Sequence, residues 1–395
     1  MQNNRLPFAV QALPLDLPLR WLLLASLAVP TGCAVAHEDQ PASAVAYPVV
    51  GGAPPTALRP ASLGSCFARA AALRVELSID NNDTTVHGDL EAIALSPRGQ
   101  LVVGSVDGTL KTWRLDGEFL GAQGGGLEIY GAEFLAGGTP PMALAYAPDG
   151  VHVWSIEASG RIGRWSADLA EPPLSGFPLA ADGSEVWLPG TSLAAREDGV
   201  VAATVRSADR YNFALVPSLA PDAAWSAHIA DVGLDAAAAV ATADGRFFTG
   251  GSVAGRAALV AVSVTGDAVV ALDPVALDCG ACAEVSAIAT SPDGARLAVA
   301  GDDFVATFRI GRGTLVAERT VGLDHAASSI AFSRDGAHVL LADVASSLRV
   351  FTADALAPEL VQPLSAPVSV AAHPTQDALV VGRSDGHVDV LTCFE

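Results

Sequence analysis

From about residue 90 to the C-terminus, short apolar runs alternate with turns rich in Gly, Asp, Ser and Pro, and the same order keeps returning. Each copy reads as an apolar strand, a turn, a second apolar strand, a second turn and a third strand. The clearest copies are residues 91–117, 142–168, 286–311, 328–354 and 368–392, and weaker ones centre on 196–216 and 241–263. Third strands alternate visibly, as in Leu110-Lys111-Thr112-Trp113-Arg114-Leu115. Second strands such as Leu297-Ala298-Val299-Ala300 are continuously apolar. That contrast predicts sheets whose inner strands are covered on both faces and whose outer strands meet water.

The first turn of each copy falls at Gly99, Gly150, Gly199, Gly245, Gly294, Gly336 and Asp377, spaced 41 to 51 residues apart. Asp-Gly and Pro-Asp-Gly turns suit tight connections, because Gly supplies positive φ and Pro presets the first turn dihedral. A strand-and-turn period of this size implies blades stacked around an axis, since one blade cannot bury its faces alone. The fold class expected is therefore all-β: a seven-bladed β-propeller over residues 66–395. Its last copy stops after three strands. A spare β-like run at 71–78 lies ahead of the first copy, and it is expected to complete the last blade and close the ring.

The N-terminus reads as an address. Nine apolar residues, Trp21 to Val29, follow Arg20, which is a signal-peptide core and too short to span a bilayer. Thr31-Gly32-Cys33 is similar to the lipobox of bacterial lipoproteins, in which the cysteine carries the lipid; Pro30 departs from the family's Leu. Residues 1–32 are expected to be a signal peptide and Cys33 the lipid attachment site, the competing reading being an ordinary secreted protein cut after Ala28. Residues 33–65, rich in Ala, Pro and Gly, read as a tether. The location expected is the outer membrane, lipid-anchored on the periplasmic side or cell surface, otherwise periplasmic or secreted.

Export bears on the cysteines. With Cys33 assigned to lipid, four remain, which allow three pairings. Cys66 precedes the spare strand and Cys393 follows the last third strand, so ring closure brings them together. Cys279 and Cys282 are then left for a local staple. The CxxC spacing also suits a redox centre, but no helix follows it to lower a thiol pKa, and no second ligand pair makes it a zinc site.

The 395 residues are 51% hydrophobic and 16% charged, which excludes a disordered chain. A net charge of −21, with Lys111 the sole lysine among 22 cations, argues against nucleic acid and against binding to anionic lipid through a basic patch. The membrane is expected to be reached through the lipid anchor alone.

The copies resemble the WD-repeat and YVTN-like bacterial propeller repeats over about residues 67–395. His87-Gly88 is similar to a reversed Gly-His start, Asp107-Gly108 to the second turn, and Trp113-Arg114 to a degraded Trp-Asp. The resemblance implies a hydrogen-bonded structural set of His87, Ser105, Asp107 and Trp113, which the other copies lack. It also implies protein binding rather than catalysis.

Motifs of chemistry are missing: there is no GxSxG, HExxH, Walker A or EF-hand loop. The eight histidines are scattered. Asp302-Asp303 and the run Asp80-Asn81-Asn82-Asp83 read as turn caps more than as calcium ligands. No cofactor and no metal are expected. Trp187 and Trp225, in the long inter-strand segments of the weak third copy, and Tyr211 are the candidate binding surface. The function expected is a non-enzymatic, monomeric scaffold for a protein partner. The alternatives are an enzyme using the central channel, lactonase-like or quinoprotein-like, and a glycan-binding propeller.

Overall fold

The computed structural model describes residues 60–80, 90–106, 108–123, 140–170, 174–176, 178–179, 190–196, 199–206, 211–216, 227–265, 268–279, 282–312 and 314–394. Cys33, His87, Asp107, Trp187 and Trp225, with the proposed signal peptide and most of the tether, lie outside the described residues.

Six blades are each cut from one stretch of chain. Blade one is Leu90–Leu95, Gln100–Ser105, Leu110–Arg114 and Phe119–Gln123, hydrogen-bonded in that order from the inside out. Blade two (141–176), blade five (287–322) and blade six (327–363) repeat this pattern with four antiparallel strands. Blade three (190–230) gains a fifth strand, Pro178–Leu179, parallel to its outer strand Ala227–Ala230. In blade four (236–276), Val275–Ala276 adds a second short partner to the third strand. The first strands touch their neighbours in sequence order, and the contact returns to Leu90–Leu95 from the sheet that ends the chain.

That last sheet has a different origin. Pro367–Ala372, Leu379–Arg383 and His387–Phe394 supply three strands; its outer edge comes from Arg74–Asp80 and Pro60–Ala61, both antiparallel to His387–Phe394. The expected seven-bladed propeller is corrected accordingly. There are six self-contained blades, and the seventh recurrence in the sequence is a three-stranded remnant assembled with the other end of the chain into a composite sheet. The physical reason is that a three-stranded remnant leaves an unpaired edge, which the N-terminal segment covers.

Residues 60–73 form more than a tether. The helix Leu63–Ala68 is capped by Ser62, whose hydroxyl accepts from Ser65 N at 3.2 Å. Leu63 N donates to the Asp377 carboxylate at 2.9 Å, and the Gln362 side chain both accepts from Leu73 N and donates to Leu73 O. Leu63, Cys66, Phe67 and Leu73 are buried with Leu340, Leu348, Leu379 and Leu391, so the segment plugs the space between blade six and the composite sheet. Cys66 is bonded to Cys393 across a separation of 327 residues, and Cys279 to Cys282.

Burial follows the hydrophobic pattern. Leu297–Ala300 is fully buried, while Leu315–Gly322, the outer strand of the same blade, is mostly half-buried or exposed. Small residues let blades approach: a Cβ on Gly104 would strike Pro141 of blade two, and one on Gly190 would strike Ile156.

Candidate interaction face

Both close approaches pair the end of a second strand with the start of the next blade's first strand. Those ends therefore share one face of the ring, together with the turns between second and third strands. A recurrent irregularity marks this face. In blades one to four, in blade six and in the composite sheet, the first strand carries a bulge near its start, which leaves Glu91, Met142, Thr191, Ala238, Ser328 and Val368 out of the ladder. Bulges re-aim a side chain at a rim. Ser328 Oγ, so released, donates to Ala342 O at 3.1 Å and to Pro367 O of the composite sheet at 3.3 Å.

Charge on this face is ordered by burial. Asp343 is fully buried at the end of a second strand and accepts from Ser347 N at 3.0 Å, Ser347 Oγ at 2.6 Å and Arg349 Nε at 2.7 Å. Burial pushes its carboxyl up, but these donors outweigh it and hold the pKa below the usual carboxylate range. Glu157 likewise binds Arg161, with Nε–Oε1 at 2.8 Å. In the composite sheet, Arg383 pairs with Asp389 at 3.2 Å and with Asp385, and Ser78 Oγ donates to Asp389 at 2.6 Å. Burial pulls the Arg383 pKa down, and the two aspartates more than restore it. Three of this face's arginines are thus tied down by acids, while the carboxylates of Asp80, Asp302, Asp324 and Asp385 remain exposed. Beside them stand exposed apolar side chains at Val106, Met142 and Val344, the last 65% exposed.

The opposite face holds the turns between first and second strands. Asp293 and Asp335 each accept from a serine hydroxyl two residues earlier and from a backbone N–H two residues later. At Asp293 those bonds lower the pKa with little burial to oppose them; at Asp335 they do so against a larger burial effect. In the composite sheet His373 stands where these turns have serine, and its Nδ1 accepts from Thr375 N at 3.2 Å and Gln376 N at 3.0 Å.

The site residues expected from sequence fare unevenly. Ser105 is buried and Trp113 half-buried, but Trp113 Nε1 has no hydrogen-bond partner among the described residues. The tryptophan–serine bond occurs instead in blade two, where Trp165 Nε1 donates to Ser155 Oγ at 2.9 Å. Of the aromatic candidates, only Tyr211 falls on described backbone, as the first residue of Tyr211–Val216, opposite Arg206. Trp154 is buried. No group of three His, Cys, Asp or Glu among the described residues is placed to hold a metal. Val106, Met142 and Val344 escaped the sequence reading, although each adjoins a strand end where an apolar residue has no ladder reason to be.

Residues 82–114 match the WD domain, G-beta repeat family. Among curated proteins none matches the chain. Among solved structures, the β-propeller domain of Cps50 (Swd1) from Myceliophteria thermophila is similar with a TM-score of 0.64 at 13% identity, covering 82% of this chain and 100% of that one. At that identity the likeness speaks for the fold. The strands of blade one thus lie largely within a segment that matches a WD-type repeat, and the described residues fold as a β-propeller.

Proposed function

We propose that this protein is a non-enzymatic scaffold, held in the cell envelope by a lipid on Cys33, that grips a protein partner with the acidic face of its ring. The observation that carries this reading is the combination on one rigid face of exposed Val106, Met142 and Val344 with the outward carboxylates of Asp80, Asp302, Asp324 and Asp385. Apolar anchors supply desolvation and a like-charged surround supplies steering, so the fitting partner presents a basic, partly apolar surface.

Crosslinking and affinity capture from native envelopes, with the protein as bait, tests it. A reproducible partner is expected to be retained at low salt, to weaken as salt rises and to be lost with Val344→Asp. Recovery of no partner, or of one indifferent to that substitution, defeats the reading. Cys33→Ser is expected to move the protein from the membrane fraction to the soluble one.

A further inference from the structure

Cys279 and Cys282 lie in the stretch that joins blade four to blade five, on the face assigned to the partner. Leu277 N donates to Ala257 O and Ala257 N to Cys282 O, both at 2.9 Å. These bonds set the pair beside the turn that leads into the third strand of blade four. Val285 N then donates to Gly251 O at 3.1 Å, and a Cβ on Gly301, at the second turn of blade five, would strike Glu284 O. Leu277, Cys282 and Val285 are buried in one cluster with Leu259 of blade four and Phe304 of blade five. The stretch therefore stitches two neighbouring blades together.

The two disulfides differ in what can reach them. Cys66 and Cys393 are 0% and 1% exposed. Cys282 is buried too, but Cys279 is only half-buried and follows the exposed Asp278. A thiolate must reach the sulfur it attacks, so access selects both the bond and the sulfur. Cys279 O lies 3.5 Å from Cys282 Sγ, so a thiol freed at Cys282 has an acceptor already in place. Among the described residues no helix adjoins the pair, which fits a bond that receives exchange rather than a catalyst that drives it.

We propose that Cys279–Cys282 is a thiol–disulfide exchange site for small uncharged or cationic thiols, and that opening it loosens the seam between blades four and five. The thiolate attacks Cys279 Sγ and forms a mixed disulfide. The Cys279–Cys282 bond breaks, and its electron pair leaves on Cys282 Sγ, which takes a proton from water. A second thiol releases the mixed disulfide as the small-molecule disulfide and leaves Cys279 reduced, so two thiols are oxidised for one protein bond reduced. Asp278 and the net charge of −21 oppose an anionic thiol and favour a cationic one. This chemistry stands whether or not the face binds a partner.

Cysteamine and mercaptoethanesulfonate at equal thiolate concentration test the site on folded full-length Cys33→Ser protein, in which no fifth cysteine competes. After alkylation, non-reduced peptide mapping is expected to show the cysteamine adduct on Cys279, alkylated Cys282 and an intact Cys66–Cys393 bond. Cysteamine is expected to react about tenfold faster than mercaptoethanesulfonate at low salt, and the gap to close as salt rises. In the reduced protein the amides of Ala257 and Val285 are expected to exchange hydrogen about tenfold faster than in the oxidised one. The proposal is overturned by an adduct on Cys282, by both disulfides opening together, by reaction only under denaturing conditions, by a rate gap indifferent to salt, or by unchanged exchange at both amides.

Discussion

Cys66→Ala together with Cys393→Ala isolates what the covalent clasp contributes to the closed ring. The bond joins residues 327 apart, so in the chain-entropy model it removes about 6 kcal/mol of denatured-state freedom, an upper figure because denatured chains stay partly compact. The Cys279–Cys282 bond spans a separation of 3, for which the same arithmetic gives about 1.5 kcal/mol. Three of the four sulfurs are well buried, so loss of packing adds a similar small increment to both double variants and nearly cancels in the comparison. The expected difference between them is therefore about 4 kcal/mol. Guanidinium unfolding of the oxidised protein and both double-alanine variants, followed by tryptophan fluorescence and far-UV dichroism, measures it. Hydrogen exchange should show the amides of Arg74–Asp80 losing protection first when the long bond is absent, since that edge strand would then be held by its ladder to His387–Phe394, the Ser78–Asp389 bond and the packing of Ile79. If removing the long bond costs no more than removing the short one, the noncovalent seam closes the ring unaided and the entropic reasoning fails.

Three further outcomes follow from particular contacts. Ser155→Ala leaves the buried Trp165 Nε1 without an acceptor and is expected to cost about 1–3 kcal/mol in chemical denaturation. Gly104→Ala, which drives a methyl against Pro141 at a blade seam, is expected to destabilise by roughly 1–3 kcal/mol, read as a lowered denaturation midpoint. Asp149, Asp293, Asp335 and Asp343 all have depressed native pKa values, so the stability they contribute is complete above the unfolded carboxylate value of about 4. It is lost as pH falls through their lower native values. Midpoints measured from neutral pH downward should be flat to about pH 5 and then drop, and Asp343→Asn should make the drop shallower while lowering the plateau.

How much of this was legible follows from what a periodic sequence can and cannot encode. Strand content and turn positions are local properties, so the alternation in Leu110–Leu115 and the apolar run Leu297–Ala300 mark their strands correctly. So is the demand of an incomplete sheet for an outer strand, although the strand that meets it begins at Arg74 rather than Ala71. The count of blades went astray because recurrence measures how often a pattern returns. It does not tell whether each return is a complete sheet, and the copy at 368–392 has three strands where a blade has four.

Register is harder still, because a shift of one residue sends a side chain to the other face. Pairing Ser105 with Trp113 assumes the serine lies beside the indole, yet Trp113 sits opposite Leu101. In blade two the corresponding Trp165 sits opposite Val153, with its acceptor Ser155 two residues further along the same face. Blade one has Val103 at that place, which is why the Trp113 indole N–H goes unmet. The bulges that set these offsets are written in no residue type, since Glu91, Met142, Thr191, Ala238, Ser328 and Val368 have nothing in common chemically. They fall near the start of first strands, which pack against the neighbouring blades. The side chains they re-aim, Met142 of the proposed partner surface among them, are therefore not readable before the strands are paired.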